Sequence, residues 1–203
     1  SNAKVTGQAW YGDDVRLPNE CIAKILRSPH HYAKVISIDT SKVEALPGVL
    51  AVATGEDSPN SFGVLPVTKD EHAMAVEKVR HVGDLVACVA AVDEATALHA
   101  LSLFEVEYEE LEPVFDPKKG LEDADEPIHW RGKYHLAKTN VQKRVFQEFG
   151  DRSLIDKPSA SNHNKWTMKG VHHGFTEPHA VVAHWDPNGR LQLYTPSQVP
   201  HYT

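Results

Sequence analysis

The sequence predicts an α+β protein, and three patterns along the chain predict that class. Two are strand–helix–strand patterns, at residues 35–54 and 86–109, and the third is a β-hairpin pattern at residues 179–195. The first two change from the two-residue period of a strand to the spacing of a helix and back. Their similarity is one of supersecondary structure, without repetition of the sequence itself.

The second strand–helix–strand pattern contains the predicted centre of the fold. Residues 86–92 form a nearly continuous run of small and β-branched apolar residues, which indicates a strand covered on both faces. Asp93 is the predicted N-cap of the helix that follows. The apolar residues at helical spacing are Ala95, Leu98 and Leu101. A strand with one solvated face then continues to Pro113. Its alternating residues are Phe104, Glu105, Val106, Glu107, Tyr108 and Glu109.

The first pattern and its surroundings supply further elements. Strands are predicted at residues 21–26, 35–38 and 49–54. Asp39-Thr40-Ser41 with Glu44 predicts a capping box that opens a short helix, and Pro47-Gly48 ends that helix. A loop rich in Gly, Pro and Ser follows at residues 55–66, before a charged stretch. The opening Ser1-Asn2-Ala3 is interpreted as a remnant of tag cleavage.

The second half of the chain is less regular. Residues 116–140 are charged and aperiodic, which predicts either a linker or a connection along the surface. Residues 141–149 alternate as a strand does, and residues 152–165 have the composition of a loop or a disordered segment. In the hairpin, Asp186-Pro187-Asn188-Gly189 is the predicted turn. We expect the chain, which ends without a polar tail, to stop inside a larger domain.

Composition and charge exclude several classes of protein. The chain has 203 residues, of which 28 are acidic and 21 basic, and its net charge of −7 does not suggest a nucleic-acid partner. It contains no apolar run of membrane-spanning length and no visible signal peptide. Cys21 and Cys88 are predicted to lie in strands as buried reduced thiols of a cytosolic protein, with a disulfide between them as the alternative.

The sequence contains few signs of self-contained chemistry. A phosphate loop, a nucleophile elbow and a dinucleotide fingerprint are all absent. A zinc or iron site would use His172 or His173 with His179 and Glu177, but that spacing matches no standard motif, so no metal ligand is predicted. The preferred interpretation is that these histidines line strand edges, or line a pocket that residues outside this sequence complete. Alternation on a solvated strand likewise accounts for the acidic residues near Glu107.

A series of short motifs runs along nearly the whole chain. In the first half they are Lys4-Val5-Thr6-Gly7-Gln8-Ala9, Tyr11, Asp13, Asp14, Arg27-Ser28-Pro29-His30, Leu46-Pro47-Gly48-Val49, Phe62-Gly63-Val64-Leu65-Pro66, Val79-Arg80-His81-Val82-Gly83-Asp84 and Val106-Glu107-Tyr108-Glu109. In the second half they are Phe149-Gly150-Asp151, Val171-His172-His173, Glu177-Pro178-His179 and Gln198-Val199-Pro200. In this order they resemble the molybdenum-binding large subunit of the xanthine dehydrogenase/aldehyde oxidase family. Residues 152–170 depart from the family pattern.

The resemblance implies a domain plan. Residues 4–115 would form an α/β hammerhead domain, residues 116–140 a linker, and residues 141–203 the truncated start of a molybdopterin-binding domain. The implied cofactor-binding residues are Val171, His172, His173 and Gln198. No catalytic residue is implied, because the family's glycine-rich loop beside the metal and its catalytic glutamate would lie beyond Thr203.

The resemblance also implies an activity that the chain cannot perform alone. Family enzymes hydroxylate or dehydroxylate carbon beside a heteroatom or carbonyl. They use a molybdopterin, usually the cytosine dinucleotide in bacteria, with iron–sulfur clusters and FAD on other subunits or domains. We therefore expect a cytoplasmic oxidoreductase subunit whose partners are the rest of the molybdenum subunit and the iron–sulfur and FAD subunits. The isolated chain should be inactive, bind no cofactor, and self-associate through its C-terminal third.

Two points about function remain open from the sequence. Xanthine-oxidising members have glutamine near the position of Val171, which makes xanthine a weaker expectation, while residues 62–84 resemble the large subunit of 4-hydroxybenzoyl-CoA reductase. The alternative to an enzyme part is a non-catalytic hammerhead scaffold or interaction fragment, which the irregular stretch at 152–170 favours.

Overall fold

The computed structural model describes residues 2–63, 69–122, 124–129, 139–141, 143–156, 158–197 and 201. Their contacts divide the chain into two units. The sheet unit is Asn19–Arg144, and the hairpin unit combines Ser1–Pro18 with Val145–Thr203. The predicted domain bounds remain a prediction, because contacts within one chain do not test which segments fold independently.

The helices and strands confirm the predicted α+β class. In chain order they are α1 (Asn2–Val5), β1 (Ile22–Arg27), β2 (Ala33–Asp39), α2 (Ser41–Glu44), β3 (Val49–Thr54), β4 (Lys78–Val79), β5 (Leu85–Ala91), α3 (Glu94–Leu101), β6 (Glu105–Glu110), β7 (Val182–Trp185) and β8 (Leu191–Tyr194). Short 3-10 turns are found at Gly12–Asp14, Lys119–Leu121 and Arg152–Leu154. Among the described residues, no helix is long and apolar enough to cross a membrane.

The sheet unit contains two antiparallel three-stranded sheets, ordered β1-β5-β3 and β4-β2-β6. Each predicted strand–helix–strand pattern starts in one sheet and ends in the other. The first runs from β2 through α2 to β3, and the second runs from β5 through α3 to β6. The two patterns therefore pair with each other, β2 with β6 and β3 with β5.

Strand β5 lies at the centre of the first sheet, as its apolar composition predicts. Val86 belongs to one buried cluster, with Ala33, Ala75 and Val79. Val89 belongs to a second cluster, with Val43 and Ala100. Because residues three apart on a strand face opposite sides, β5 contributes to both cores at once. The strand ends at Ala91, one residue before the predicted end.

Helix α3 begins where predicted but buries a different face. The Asp93 side chain accepts a hydrogen bond from the Thr96 backbone N–H at 2.7 Å, which confirms the N-cap. The predicted apolar face is wrong for Ala95, which is exposed, and for Leu98, which is 53% exposed, but Leu101 packs against the cluster around Val89 as predicted. Ala97 and Ala100 are buried instead. The small alanine side chains let the helix approach the sheet closely. The spacing of apolar residues alone does not indicate that alanines, and not the larger Leu98, will face the sheet.

The capping box predicted for α2 does not form. The backbone of Thr40 is already helical, at φ −99° and ψ −6°, and its side chain caps no backbone N–H. The Thr40 hydroxyl instead donates to Glu44 Oε1 at 2.7 Å, and Asp39 Oδ1 accepts from the Ser41 N–H at 2.9 Å. Beyond the helix, Gly48 turns the chain at φ +94°, where its missing side chain leaves room for Thr96.

The two cysteines are free thiols and form no disulfide. Cys21 is exposed and precedes β1, so the prediction of a buried strand residue is wrong there. Cys88 lies in β5 but is half-buried, on the face opposite to Val89. Partial burial raises the pKa of the Cys88 thiol.

The hairpin unit confirms one predicted pair of strands and contradicts another strand. Strands β7 and β8 pair antiparallel, and Asp186 Oδ1 closes their turn by accepting from the N–H groups of Asn188 and Arg190. The strand predicted at residues 141–149 is wrong for the described part of that segment, which has no regular structure. From residue 143 to residue 149 its side chains are exposed, Phe149 by 87%, so no partner strand covers the alternating face there. The described part of residues 152–165 is irregular apart from one 3-10 turn.

Candidate functional site

Three of the four predicted cofactor-binding residues are adjacent on irregular backbone of the hairpin unit. Val171, His172 and His173 are all exposed. The fourth, Gln198, lies outside the described residues.

Local contacts orient one of these histidines. His172 Nδ1 accepts a hydrogen bond from the Gly174 N–H at 2.9 Å, and Gly174 has a φ of +63° that favours glycine. The ring of His172 lies 5.7 Å from that of Phe175, which in turn meets the ring of His179 edge-on at 4.8 Å. The rings of His172, Phe175 and His179 therefore form a row of aromatic contacts along an otherwise irregular segment.

The N-terminal segment packs against the same unit. Glu177 Oε1 accepts from the Gly12 N–H at 3.4 Å. A side-chain carbon added at Gly12 would lie 3.1 Å from Pro196 Cδ and 3.3 Å from the carbonyl oxygen of Ala180, so glycine permits the approach. Beside it is an open, mainly apolar hollow of about 410 Å³. Its lining residues are Trp10, Tyr11, Gly12, Val15, Arg16, Leu17, Tyr194 and Thr195.

The side chains considered for a zinc or iron site do not meet in the described part of the chain. No three His, Cys, Asp or Glu residues among the described ones could together hold a metal ion. Glu177 is engaged by Gly12, and His179 is engaged by Phe175. The absence of a protein-bound metal remains a prediction for direct measurement.

A polar network in the sheet unit was not predicted from the sequence. Lys78 has a side chain only 10% exposed, and its ammonium group donates to the Tyr32 hydroxyl at 3.0 Å, Glu126 Oε1 at 2.8 Å and the Pro127 carbonyl at 3.0 Å. Burial disfavours the charged ammonium, but the bonds to Glu126 and Tyr32 outweigh burial and raise the pKa of Lys78. The same bond from Lys78 lowers the pKa of Glu126.

A second part of the network lies two residues further along the chain. Arg80 donates to the Ile128 carbonyl at 3.0 Å, and its guanidinium approaches Asp70 Oδ2 at 3.4 Å. His129 Nδ1 lies 3.1 Å from each carboxylate oxygen of Asp70, whose side chain is 12% exposed. The sequence signal for this network is weak: two cations flanking the apolar Val79 resemble an ordinary solvated strand end.

The acidic residues of β6 form ion pairs on a solvated face, as predicted. Glu105 pairs with Lys42, and Glu109 lies 3.1 Å from Lys34. Val106 and Tyr108 point instead toward the buried cluster around Val86. The alternation therefore reflects one wet face and not a carboxylate active site.

Two side chains of the hairpin unit have groups that could bind a cofactor. The rings of His172 and His173 carry nitrogens that can hydrogen-bond a pterin or a phosphate, and the ring row holds the first of them in place. The described residues from 158 to 176 are all exposed. The chemistry of His172 and His173 is thus compatible with a pterin or a phosphate group.

Comparison with known proteins gives matches along the whole chain. A family model described as "Aldehyde oxidase and xanthine dehydrogenase, a/b hammerhead domain" matches residues 6–112. The nicotinate dehydrogenase large molybdopterin subunit of Eubacterium barkeri is 33% identical over 201 residues, which are 98% of this chain and 45% of the relative. The xanthine dehydrogenase molybdenum-binding subunit of Escherichia coli O157:H7 is 31% identical over 214 aligned positions, which cover 98% of this chain and 27% of the relative.

A solved structure agrees with these sequence matches. Cu,Mo-CO dehydrogenase in its carbon monoxide reduced state superposes with a TM-score of 0.80 at 31% identity, over 99% of this chain and 27% of that chain. The chain spans less than half the length of each of these relatives.

Proposed function

The chain belongs to the aldehyde oxidase and xanthine dehydrogenase hammerhead family, and from this premise we propose that it is the N-terminal part of the molybdenum-cofactor-binding subunit of a molybdenum hydroxylase. The observation that supports the proposal is the length of chain over which the similarity extends. The family model ends at residue 112, but relatives described as molybdopterin or molybdenum-binding subunits align over nearly all of the chain. The similarity therefore includes the histidine segment as well as the hammerhead.

The proposal assigns a plan to the chain. Residues 4–115 are the hammerhead domain, 116–140 the connection and 141–203 the first part of the molybdopterin-binding domain. Val171, His172, His173 and Gln198 contribute to binding the pterin, and none of them is catalytic. The bound molybdenum–pterin supplies the oxidation–reduction chemistry, while residues 171–173 orient it through ring nitrogens and backbone.

The assembled enzyme has further components. Its cofactor is molybdopterin cytosine dinucleotide, with iron–sulfur clusters and FAD on other subunits or domains, and it works in the cytoplasm. A relative described as a subunit of a 6-hydroxypseudooxynicotine dehydrogenase complex supports the view that such chains act in multi-subunit assemblies. We expect residues 1–203 alone to be inactive, because the proposal assigns none of them a catalytic role.

Metal and nucleotide analysis of the whole protein tests this proposal. The protein containing this chain would be purified with its natural partners, and its molybdenum and acid-released nucleotide would be measured. We expect about one molybdenum and one cytidine monophosphate per chain. Purified residues 1–203 are the control and should contain neither. A whole protein that is folded and associated with its partners but free of molybdenum would overturn the proposal.

A non-catalytic hammerhead scaffold is the second candidate function. The observation that favours it is the irregular, exposed course of the described residues from 158 to 181, where the pterin site would be expected to begin. The same measurement separates the candidates, because a scaffold would bind partner subunits without molybdenum.

The substrate remains a finer proposal. The valine at position 171, where xanthine-oxidising members have glutamine, makes xanthine a weaker candidate. The resemblance of residues 62–84 supports an aromatic thioester of the 4-hydroxybenzoyl-CoA type, and the nicotinate dehydrogenase relative supports nicotinate. Turnover by the whole protein of xanthine, nicotinate and 4-hydroxybenzoyl-CoA would discriminate among them.

A further inference from the structure

Residues 126–129 are held within the sheet unit by hydrogen bonds from side chains. They form no strand, and none of residues 126–129 is buried. Three successive backbone carbonyls nevertheless accept hydrogen bonds from side chains of the unit. Tyr32 donates to the carbonyls of Glu126 at 3.2 Å and Pro127 at 2.9 Å, Lys78 donates to Pro127, and Arg80 donates to Ile128.

The donors themselves are held rigidly. Tyr32 is 3% exposed and adjoins β2, while Lys78 opens β4 and Arg80 follows it. Between the two cations, Val79 is fully buried in the cluster with Val86. The short strand β4 thus anchors its apolar residue in the core and directs both neighbouring cations at the same four-residue segment.

We propose that Tyr32, Lys78 and Arg80 form a releasable clamp that holds residues 126–129 against the strands of the sheet unit. Release is local because the clamped residues contribute nothing to either buried cluster. The contacts that would have to break are polar: the hydrogen bonds to the three carbonyls, the Lys78–Glu126 ion pair and the contact between Asp70 and His129. Opening the clamp therefore need not unfold the sheets.

The clamp has a built-in reporter. The Ile128 N–H donates to Asn140 Oδ1 at 2.8 Å, and the Asn140 N–H donates to the Gly120 carbonyl at 3.0 Å. When residues 126–129 move away from Tyr32, Lys78 and Arg80, the Ile128 amide moves away from Asn140, which is bonded to Gly120. Its hydrogen exchange consequently measures clamp opening, whereas the Val89 amide in the central strand measures opening of the core.

Amide hydrogen exchange of the full chain tests the clamp. Lys78→Met and Arg80→Met should each speed exchange at Ile128 by about tenfold or more, because a hydrogen bond from a charged donor is lost. Exchange at Val89 should stay unchanged. Lys34→Met is the matched control, since it removes an exposed ion pair with Glu109 on the same sheet and should alter neither amide.

Two further measurements keep the test decisive if a variant folds poorly. In the unchanged chain, raising salt from about 0.05 M to about 0.5 M should speed exchange at Ile128 relative to Val89, because partly exposed ion pairs are screened. Lys78→Arg should restore part of the lost protection. Exchange at Ile128 that stays unchanged in both Met variants, or that always follows Val89, would overturn the proposal.

Discussion

The sheet unit and the hairpin unit differ in where their apolar side chains lie. Every fully buried apolar residue in the described part of the chain belongs to the sheet unit, around Val86 and Val89. The hairpin unit has no buried residue among those described, and Trp166 and Met168 are almost wholly exposed. The first unit thus covers its own strands, whereas the second presents apolar surface of the kind that other chain segments or partner proteins usually cover. Strand pairing in a unit does not by itself imply a core.

The largest expected effect concerns the core of the sheet unit. Val89→Asp would bury an unpaired carboxylate beside Val43 and Ala100. The free energy of unfolding should fall by about 3–5 kcal/mol, enough to unfold the unit. A thermal or urea melt followed by circular dichroism measures it. Val92→Asp is the control, because Val92 is 54% exposed and should cost about 1 kcal/mol or less. A cooperative melt unchanged by Val89→Asp would mean that β5 is not the centre of the core.

The next effect concerns the exposed surface of the hairpin unit. The predicted exposed set is confirmed, and it consists of Val181, Trp185, Leu191, Leu193 and Tyr194. We expect chains to associate through this surface, so that light scattering detects dimers or larger species. Leu191→Glu with Leu193→Glu should weaken association by about tenfold or more, since charges would enter the contact. The control is Ile36→Glu, an exposed apolar residue on β2 of the sheet unit. A monomeric unchanged chain would contradict the prediction.

A smaller effect is expected at the N-terminus of α3. Asp93→Ala removes the side chain that accepts from the Thr96 N–H and should lower the free energy of unfolding by about 1 kcal/mol. Asp93→Asn keeps an acceptor and should lower it by only a few tenths of that amount. Urea titration of the three proteins gives the comparison, and equal stabilities for Asp93→Ala and the unchanged chain would refute the assigned cap.

The smallest effect is a pH dependence of the sheet unit. A hydrogen bond from the Thr96 backbone lowers the pKa of Asp93, and bonds from Ser41 lower the pKa of Asp39, each below its ordinary value of 3.8. A lowered pKa in the folded state stabilises the fold above the unfolded value, and that stabilisation is lost as pH falls through the folded value. Unfolding should therefore become easier below about pH 4. Urea midpoints measured between pH 5 and pH 2 test this, and Asp93→Asn should flatten the dependence.

The parts of the fold that the sequence predicts are those with a local physical signal. A two-residue period marks β5 and β6, an oxygen-bearing side chain marks the start of α3, and Asn188-Gly189 marks the hairpin turn. Which strands pair is not local, so the crossing of each strand–helix–strand pattern between sheets could not be derived. The segment at 141–149 alternates as a strand does, but its described residues have no partner strand. The presence of a partner strand cannot be inferred from a two-residue period.

The candidate site was less predictable for a related reason. Resemblance selects residues 171–173, but their row of rings depends on Gly174 turning the chain back on itself. The contacts of Lys78 and Arg80 depend on residues 126–129 lying against them, far along the chain. In a sequence, a cation that donates a hydrogen bond to a distant carbonyl cannot be distinguished from a cation that is exposed to solvent.

The exchange of strands between the two sheets has a consequence for how the polypeptide is made. Strand β2 pairs with β6, and β1 and β3 both pair with β5, so neither sheet is complete when β3 has left the ribosome. Strands β1 and β3 lack their partner until Ala91 emerges, and β2 lacks its longer partner, β6, until Glu110 emerges. Such long-range pairing slows folding and prolongs exposure of unpaired strands. Nascent chains of this protein should thus depend on chaperones up to that residue and become compact abruptly after it.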